Sequence, residues 1–182
     1  MQILMTSSGG RNLEKLFPAV VKHLSSSDLI TKKLVCWFIC EHGSNQEFIL
    51  LAINTLVKDC NDPNPMIRGF SLKTITSIPH TFLLDYSLPL VLKGLDDSSV
   101  YVRRAAVLSC AMMFSMNHEI VMENGIVDRL YGAIRDSDSI VVVDALLALE
   151  EILSLEGGVV INHNIAVYLL NKLQVCENAC RY

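Results

Sequence analysis

The sequence repeats one pattern four times with a period of about 35–40 residues, and this repetition constrains the fold more than any other feature. In each copy a short polar turn stands between two segments with the apolar periodicity of a helix. Each turn ends in a side chain that can accept a hydrogen bond from the free amides of a helix's first turn. Each unit is therefore predicted to be a helix, a tight turn and a second helix. The four capping residues are Asp28, Asn64, Ser99 and Asp138.

The residues after each cap follow the pattern of one helical face. Offsets of 3, 8 and 11 from the cap carry apolar side chains in nearly every unit, and offset 7 carries a small one. On a helix of 3.6 residues per turn these offsets form a single stripe, with the small residue where a neighbouring helix approaches most closely. The columns are Thr31, Ile67, Val102 and Val141; Cys36, Leu72, Val107 and Leu146; Ile39, Ile75, Cys110 and Leu149; and, at the small position, Val35, Ser71, Ala106 and Ala145.

The segment before each turn has an apolar face of its own, with successive spacings of 3, 1 and 3. A helix pair of this kind cannot bury both faces alone, so it must stack on its neighbours. The prediction is an all-α fold, a right-handed α-solenoid of HEAT- or armadillo-like helix pairs. The columns are Phe17, Ile53, Leu88 and Val127; Val20, Leu56, Val91 and Leu130; Val21, Val57, Leu92 and Tyr131; and Leu24, Cys60, Leu95 and Ile134.

The same spacing recurs once more after the fourth unit and predicts a fifth first helix, whose partner would be capped near Glu177. We expect an unstructured start over residues 1–11 and a solenoid over residues 12–182, with four helix pairs and half of a fifth. A solenoid end without a polar cap leaves apolar surface uncovered, which agrees with the mean hydropathy of +0.39. The residues that carry the fifth spacing are Ala166, Leu169, Leu170 and Leu173.

Charge and hydropathy exclude several classes of function. The 182 residues carry 15 basic and 19 acidic side chains, a formal net charge of −4. Nucleic acid is not a predicted partner, because no cluster of Lys and Arg is present to neutralise phosphates. Direct attachment to anionic lipid is disfavoured too, since Lys22, Lys32 and Lys33 form only a thin basic remnant. No bilayer-spanning segment or secretory signal is evident, so we expect the six cysteines to be thiols in a reducing cytosol.

No motif of a known catalytic site is present in the sequence. Phosphate-binding loops, the nucleophile elbow of hydrolases and the paired histidines of zinc proteases are all missing. The doublet Gly157-Gly158 is interpreted as a turn between helices rather than as a phosphate cradle. We therefore predict a protein that is not an enzyme and that needs no cofactor.

Two cysteine pairs raise the question of a metal site. Cys36 and Cys40, with His42 nearby, are four residues apart, and Cys176 and Cys180 repeat this spacing. Zinc could use such pairs, but structural zinc sites favour closer cysteines and four convergent ligands. Cys36 also occupies an apolar column, where a free cysteine behaves as a small hydrophobic residue. Packing is the favoured interpretation, and no metal is predicted.

Trp37 and Phe38 allow two interpretations, an aromatic shelf for a bound peptide or part of the core. The chain has one tryptophan, so it lacks the repeated Trp/Asn ladder by which armadillo import adaptors hold basic peptides. The core is the favoured interpretation for both residues.

Arginines in the second helices recur with aspartates in the turns. Because both recur at the repeat period, a ladder that joins one repeat to the next is favoured over a ligand site. The predicted ladder consists of Asp62, Arg68, Asp97, Arg103 and Asp136.

Two-helix units with an aspartate in the turn and an arginine in the second helix resemble HEAT repeats, and the short spacing of the first three caps leaves little space for the third helix of armadillo units. Several longer strings resemble the trunk of the β-type large adaptins, subunits of the heterotetrameric adaptor complexes of vesicle coats. Another string resembles in particular the β-type adaptins of the fourth adaptor complex. The resemblance covers roughly residues 16 to 173. The strings are residues 32–35, 51–69 and 101–107, and for the fourth complex residues 149–153 and 156–162.

The resemblance implies a non-enzymatic scaffold that holds the second large, the medium and the small subunit in a coat. It implies a cytoplasmic protein, peripheral on trans-Golgi network or endosomal membranes through its complex. It also implies contact with a GTP-bound Arf GTPase through Leu50 and Ile53, although Ile53 lies in a core column. The family's trunk has a further helical segment before residue 16 and many repeats after residue 173, so we expect a partial chain. The alternatives are a free-standing HEAT protein-binding module unrelated to coats and, more remotely, an enzyme fragment.

Overall fold

The computed structural model describes residues 16–43, 46–154 and 156–179, and these ranges form helices joined by short turns, without a strand. Two 3₁₀ turns, Lys22–Ser25 and Thr81–Leu83, accompany the helices. The predicted unstructured start, residues 1–11, lies outside the described residues. The helices are α1 (Phe17–Val21), α2 (Leu29–His42), α3 (Gln46–Asp59), α4 (Pro65–Ser77), α5 (Leu84–Leu95), α6 (Val100–Met116), α7 (His118–Glu123), α8 (Ile126–Ala133), α9 (Ser139–Leu153) and α10 (His163–Ala179).

The second helix of each unit, α2, α4, α6 or α9, begins one residue after the predicted cap. The Asp28 carboxylate accepts a hydrogen bond from the Thr31 amide at 2.8 Å, and Asn64 and Asp138 act in the same way. Ser99 differs: its position is right, but its side chain caps nothing. The carboxylate of Asp97 accepts the Ser99 amide at 2.8 Å and orders that turn, as Asp62 and Asp136 do with the amides of Asn64 and Asp138.

The core follows the predicted columns. Second helices stack on one another, α4 on α6 and α6 on α9, and each also packs on the first helix of its unit. The small side chains of Ser71, Ala106 and Ala145 are fully buried. Between α4 and α6 the buried hydroxyls of Thr76 and Ser109 share a hydrogen bond of 2.9 Å, which satisfies both groups inside the stack.

The first helices are less regular than the two-helix pattern predicts. In the first unit α1 has only five residues and continues as a 3₁₀ turn. The interval between the caps Ser99 and Asp138, the longest of the three, holds an additional short helix, α7, capped by Asn117. This unit therefore contains three helices, as armadillo units do, and the expectation of a simple pair is wrong there. Extra residues between α6 and α8 provide the length for the additional helix.

The fifth first helix is present as α10, which follows a turn at Gly157 and Gly158. Both glycines adopt positive φ angles, +97° and +87°, which residues other than glycine rarely adopt. The helix continues without a break through position 177, so the cap predicted near Glu177 is wrong. Leu170 and Leu173 remain exposed, so this end of the described stack presents apolar surface to solvent. Among the described residues, no helix combines the length and the apolar character that crossing a membrane requires.

Candidate interaction site

Arg68 connects two consecutive turns. Its Nε and Nη2 donate to the two carboxylate oxygens of Asp97 at 2.9 and 2.8 Å, and its Nη1 donates to the carbonyls of Asp62 and Pro63. Each of the three guanidinium nitrogens therefore has an acceptor. One side chain on α4 thus holds its own turn and the turn of the following unit in a fixed relation.

Arg103 repeats this arrangement one unit later. Its Nε and Nη2 donate to Asp136 at 2.6 and 2.9 Å, while Nη1 donates to the carbonyls of Asp97 and Ser98. Because Arg68 and Arg103 both stand four residues after a cap, the same helical geometry presents them to the next turn. The structure thus brings together Arg68 with Asp97 and Arg103 with Asp136.

The two aspartates of these pairs have lowered pKa values. For Asp136, the hydrogen bond from Arg103 is the largest influence and lowers the pKa, and burial opposes it. For Asp97, burial is the largest influence and raises the pKa, but hydrogen bonds from Arg68 and from the Ser99 amide together outweigh it. Both carboxylates are consequently charged at neutral pH, as the pairing with arginine requires.

Asp62 and the fourth unit depart from the regular ladder. The Asp62 carboxylate accepts the Asn64 amide at 2.8 Å, and its link to Arg68 is through the backbone carbonyl. In the fourth unit, Val142 stands at the arginine position, four residues after the cap. There the Asp136 carbonyl, which is equivalent to the carbonyls that Arg68 and Arg103 bind, accepts instead from Tyr168 and Lys172 of α10.

The first unit has an ion pair that was missing from the sequence-based ladder. Lys32 also stands four residues after its cap, and its ammonium group donates to the Asp59 carboxylate. Both side chains are almost fully buried, so Lys32 is not part of a basic surface. The shared offset from the cap was the signal that could have identified Lys32 as the counterpart of Arg68. The interpretation of Lys32 as part of a basic remnant with Lys22 and Lys33 is wrong.

The two residues implied as an Arf contact differ in accessibility. Leu50 on α3 is 45% exposed, whereas Ile53 is 4% exposed and belongs to the core. An interface contact by Ile53 is therefore incompatible with this packing, and only Leu50 is available at the surface. The exposed side chains Leu51 and Tyr86 stand equally far before the caps of their units, so they occupy equivalent positions on α3 and α5. Neither was singled out from the sequence.

Trp37 is 45% exposed, so its assignment to the core is wrong, whereas Phe38 is buried as predicted. Trp37 stands nine residues after its cap, an offset outside the buried stripe. The same offset carries exposed Leu108 on α6 and exposed Leu147 on α9. This surface, defined by offsets 9 and 13 on the second helices, is called the second-helix face below.

The buried cysteines have the properties of packed thiols. Burial raises the pKa of Cys36, of Cys60 and of Cys110 to about 12, and that of half-buried Cys40 to about 11. Within the described ranges, no three His, Cys, Asp or Glu side chains converge as metal ligands do. The second cysteine pair considered as metal ligands is Cys176 and Cys180. Cys180 and the side chain of Cys176 lie outside the part of the chain that the structure describes.

Comparison with known proteins supports the adaptin resemblance. The family described as "Adaptin N terminal region" matches residues 1–178. The AP-4 complex subunit beta-1 of Mus musculus is 41% identical over 173 residues, covering 94% of this chain and 23% of the relative. The AP-1 complex subunit beta-1 of Saccharomyces cerevisiae is 35% identical over 144 residues, covering 79% of this chain and 20% of the relative. The chain thus spans about a quarter or less of the length of these curated relatives.

Solved structures agree on the fold. A chain in a homology model of the full-length AP-3 complex superposes with a TM-score of 0.72 at 19% identity, covering 93% of this chain and 29% of that one. A designed armadillo repeat protein in complex with the peptide (KR)4 superposes with a TM-score of 0.56 at 25% identity, covering 75% of this chain and 64% of that one. The predicted all-α solenoid and the resemblance to β-type adaptins are both confirmed. The chain belongs to the adaptin family, and its sequence corresponds to the N-terminal region that defines it.

Proposed function

We propose that this chain is a scaffold region of a β-type large adaptin and acts in vesicle-mediated protein transport. In this role it holds the second large, the medium and the small subunit of an adaptor complex without catalysing a reaction. The observation that carries the proposal is the match of 94% of the chain to the AP-4 complex subunit beta-1. Its cytoplasmic location on trans-Golgi network or endosomal membranes, reached through the assembled complex, is part of the same proposal.

The ladder supports a scaffold role because it makes the stack stiff. A solenoid holds partners through an extended surface, and the shape of that surface depends on the angle between successive units. Arg68 and Arg103 each bind the turns of two units, so they limit this angle. We infer that the ladder is a structural device and that the exposed faces of the helices carry the contacts.

A chimera tests the scaffold role. The 173 aligned residues of the mouse AP-4 complex subunit beta-1 are replaced by those of this chain, and the chimera is expressed with the other AP-4 subunits. Co-purification of the complete complex is expected. The control is the chimera with Arg68→Glu and Arg103→Glu, which should assemble less well. A folded chimera that leaves the other subunits behind would support the alternative, a free-standing protein-binding module.

We further propose that Leu50 contributes to a contact with a GTP-bound Arf GTPase. Leu50 offers an exposed aliphatic side chain on α3, as an apolar contact requires, whereas Ile53 serves the core. In the assembled chimera, Leu50→Asp should weaken the GTP-dependent recruitment of Arf without changing assembly. Leu147→Asp on α9 is the matched control, since it places the same charge on a different face. Unchanged recruitment by the Leu50→Asp complex would refute the contact.

A further inference from the structure

A groove of about 490 Å³ crosses three stacked helices on the second-helix face. Lys73 and Ser77 of α4 line one end, and Glu151 of α9 lines the other. Between them, Leu108 and Met112 of α6 are 38% and 41% exposed, so they form an apolar floor that solvent reaches. The groove is therefore apolar in the middle and charged at its two ends.

The charges at the two ends have no counter-ion within the described residues. The Lys73 ammonium group lies over the face of the Tyr101 ring, 5.9 Å from the ring centroid, and pairs with no carboxylate of the described residues. In the part of the chain that the structure describes, the Glu151 carboxylate has neither a salt bridge nor a hydrogen bond, and Ser154 donates only to the Glu151 backbone carbonyl. Arg104 and Asp144, on the same helices α6 and α9, pair with each other at 2.7 Å. The groove thus offers a cation and an anion, each without an opposite charge among the described residues, across an apolar floor.

The length of the groove sets the size of a matching ligand. Neighbouring packed helices lie about 8–10 Å apart, so the path from α4 to α9 spans roughly 16–20 Å. An extended peptide advances about 3.3 Å per residue and places alternate side chains on the same face. Seven extended residues cover about 20 Å between the first and the last, with four side chains facing the groove.

We propose that this groove binds an extended peptide segment with an acidic side chain at one end, aliphatic side chains in the middle and a basic side chain at the other end. The acidic group binds Lys73, the aliphatic groups contact Leu108 and Met112, and the basic group binds Glu151. The floor supplies affinity by burying apolar surface, and the two charges set the direction of the peptide. This binding activity is additional to the scaffold role and does not depend on it.

The probe is a fluorescein-labelled synthetic peptide, Asp-Ser-Leu-Ser-Leu-Ser-Lys, titrated with the 182-residue chain while fluorescence anisotropy is measured. Saturable binding is expected below about 1 mM, and Lys73→Glu should weaken it by about tenfold. A second peptide, with Lys in place of Asp, should show the reverse preference and bind the Lys73→Glu variant more tightly than the unchanged protein. Glu151→Lys should likewise favour a peptide with Asp in place of Lys.

Two controls separate groove binding from other effects. Lys58→Glu removes an exposed lysine from α3, on the first-helix side, and should alter affinity less than about twofold, in line with the small effect of a remote exposed charge. Thermal unfolding of each variant shows whether the stack is intact. Equal binding of both peptides by the unchanged and Lys73→Glu proteins, or an absence of saturation, would overturn the proposal. Either outcome would leave the assembly of the AP-4 chimera unaffected, so the two proposals fail separately.

Discussion

Arg103 and Asp136 are joined by two parallel hydrogen bonds of 2.6 and 2.9 Å across the boundary between two repeats. Only 14% and 10% of the two side chains remain exposed to solvent. A planar guanidinium matched to a carboxylate in this way is strong and directional, and partial burial shields it from water. The pair therefore links the units of the solenoid more firmly than an ordinary surface ion pair would.

Removing Arg103 should destabilise the stack. Arg103→Ala leaves the Asp136 carboxylate without its cation and two turn carbonyls without their donor, so we expect a loss of about 1–3 kcal/mol in the free energy of unfolding. Urea denaturation followed by circular dichroism measures this change. Arg104→Ala is the control. Because Arg104 is more exposed, this substitution should lower the free energy of unfolding by less than about 1 kcal/mol. Equal losses in the two variants would contradict the proposed role of the ladder.

Stability should depend on pH through Asp97 and Asp136. Their pKa values are lowered in the folded protein, so each contributes stability that is present above the unfolded pKa of about 3.9. This contribution is lost as pH falls through the folded pKa. The free energy of unfolding of Asp136→Asn should therefore lie below that of the unchanged protein at pH 7 and approach it below about pH 4. A difference that persists unchanged at pH 3 would show that ionisation of Asp136 is not the cause.

Two helical glycines should respond in opposite directions to alanine. A Cβ atom on Gly94 would lie 2.9 Å from a methyl of Leu72 and 3.0 Å from Ala106, so Gly94→Ala should destabilise by about 1–3 kcal/mol through overpacking. Gly132 on α8 has no atom within 4 Å of such a Cβ, so Gly132→Ala should stabilise by about 0.5–1 kcal/mol. Thermal or urea unfolding of both variants measures the two changes in the free energy of unfolding. A stabilising Gly94→Ala would show that α5 is not in close contact with α4 and α6.

The buried thiols should be unreactive in the folded protein. With a pKa of about 12, Cys36, Cys60 and Cys110 are thiolates at a fraction of about 10⁻⁴ at pH 8, far below that of an unfolded cysteine. In a variant with Cys176→Ser and Cys180→Ser, Ellman's reagent should modify these three thiols at least about a hundredfold more slowly than in urea. Rapid modification of all thiols without denaturant would show that the core between α2, α4 and α6 is open.

The positions of the caps and of the buried stripes could be predicted from the sequence because they are local properties. Asp28 and Asn64 cap through hydrogen bonds to amides two or three residues away, and no other part of the chain is needed. Trp37 shows where residue type misleads, since an aromatic side chain suggested the core although its offset lies outside the stripe. Ser99 shows the same at a cap, because the residue type suggested a cap hydrogen bond that its side chain does not make.

The sequence by itself determined that this chain is a stack of helix pairs, because a regular repeat with two apolar faces per unit has no other way to bury those faces. Only the tertiary structure decided which charges meet. Lys32 and Arg68 share an offset from their caps, yet one pairs with Asp59 within its neighbouring helix and the other with Asp97 in the next turn. The reason is physical: a helix sets the direction of a side chain, while the partner it reaches depends on how the next unit packs.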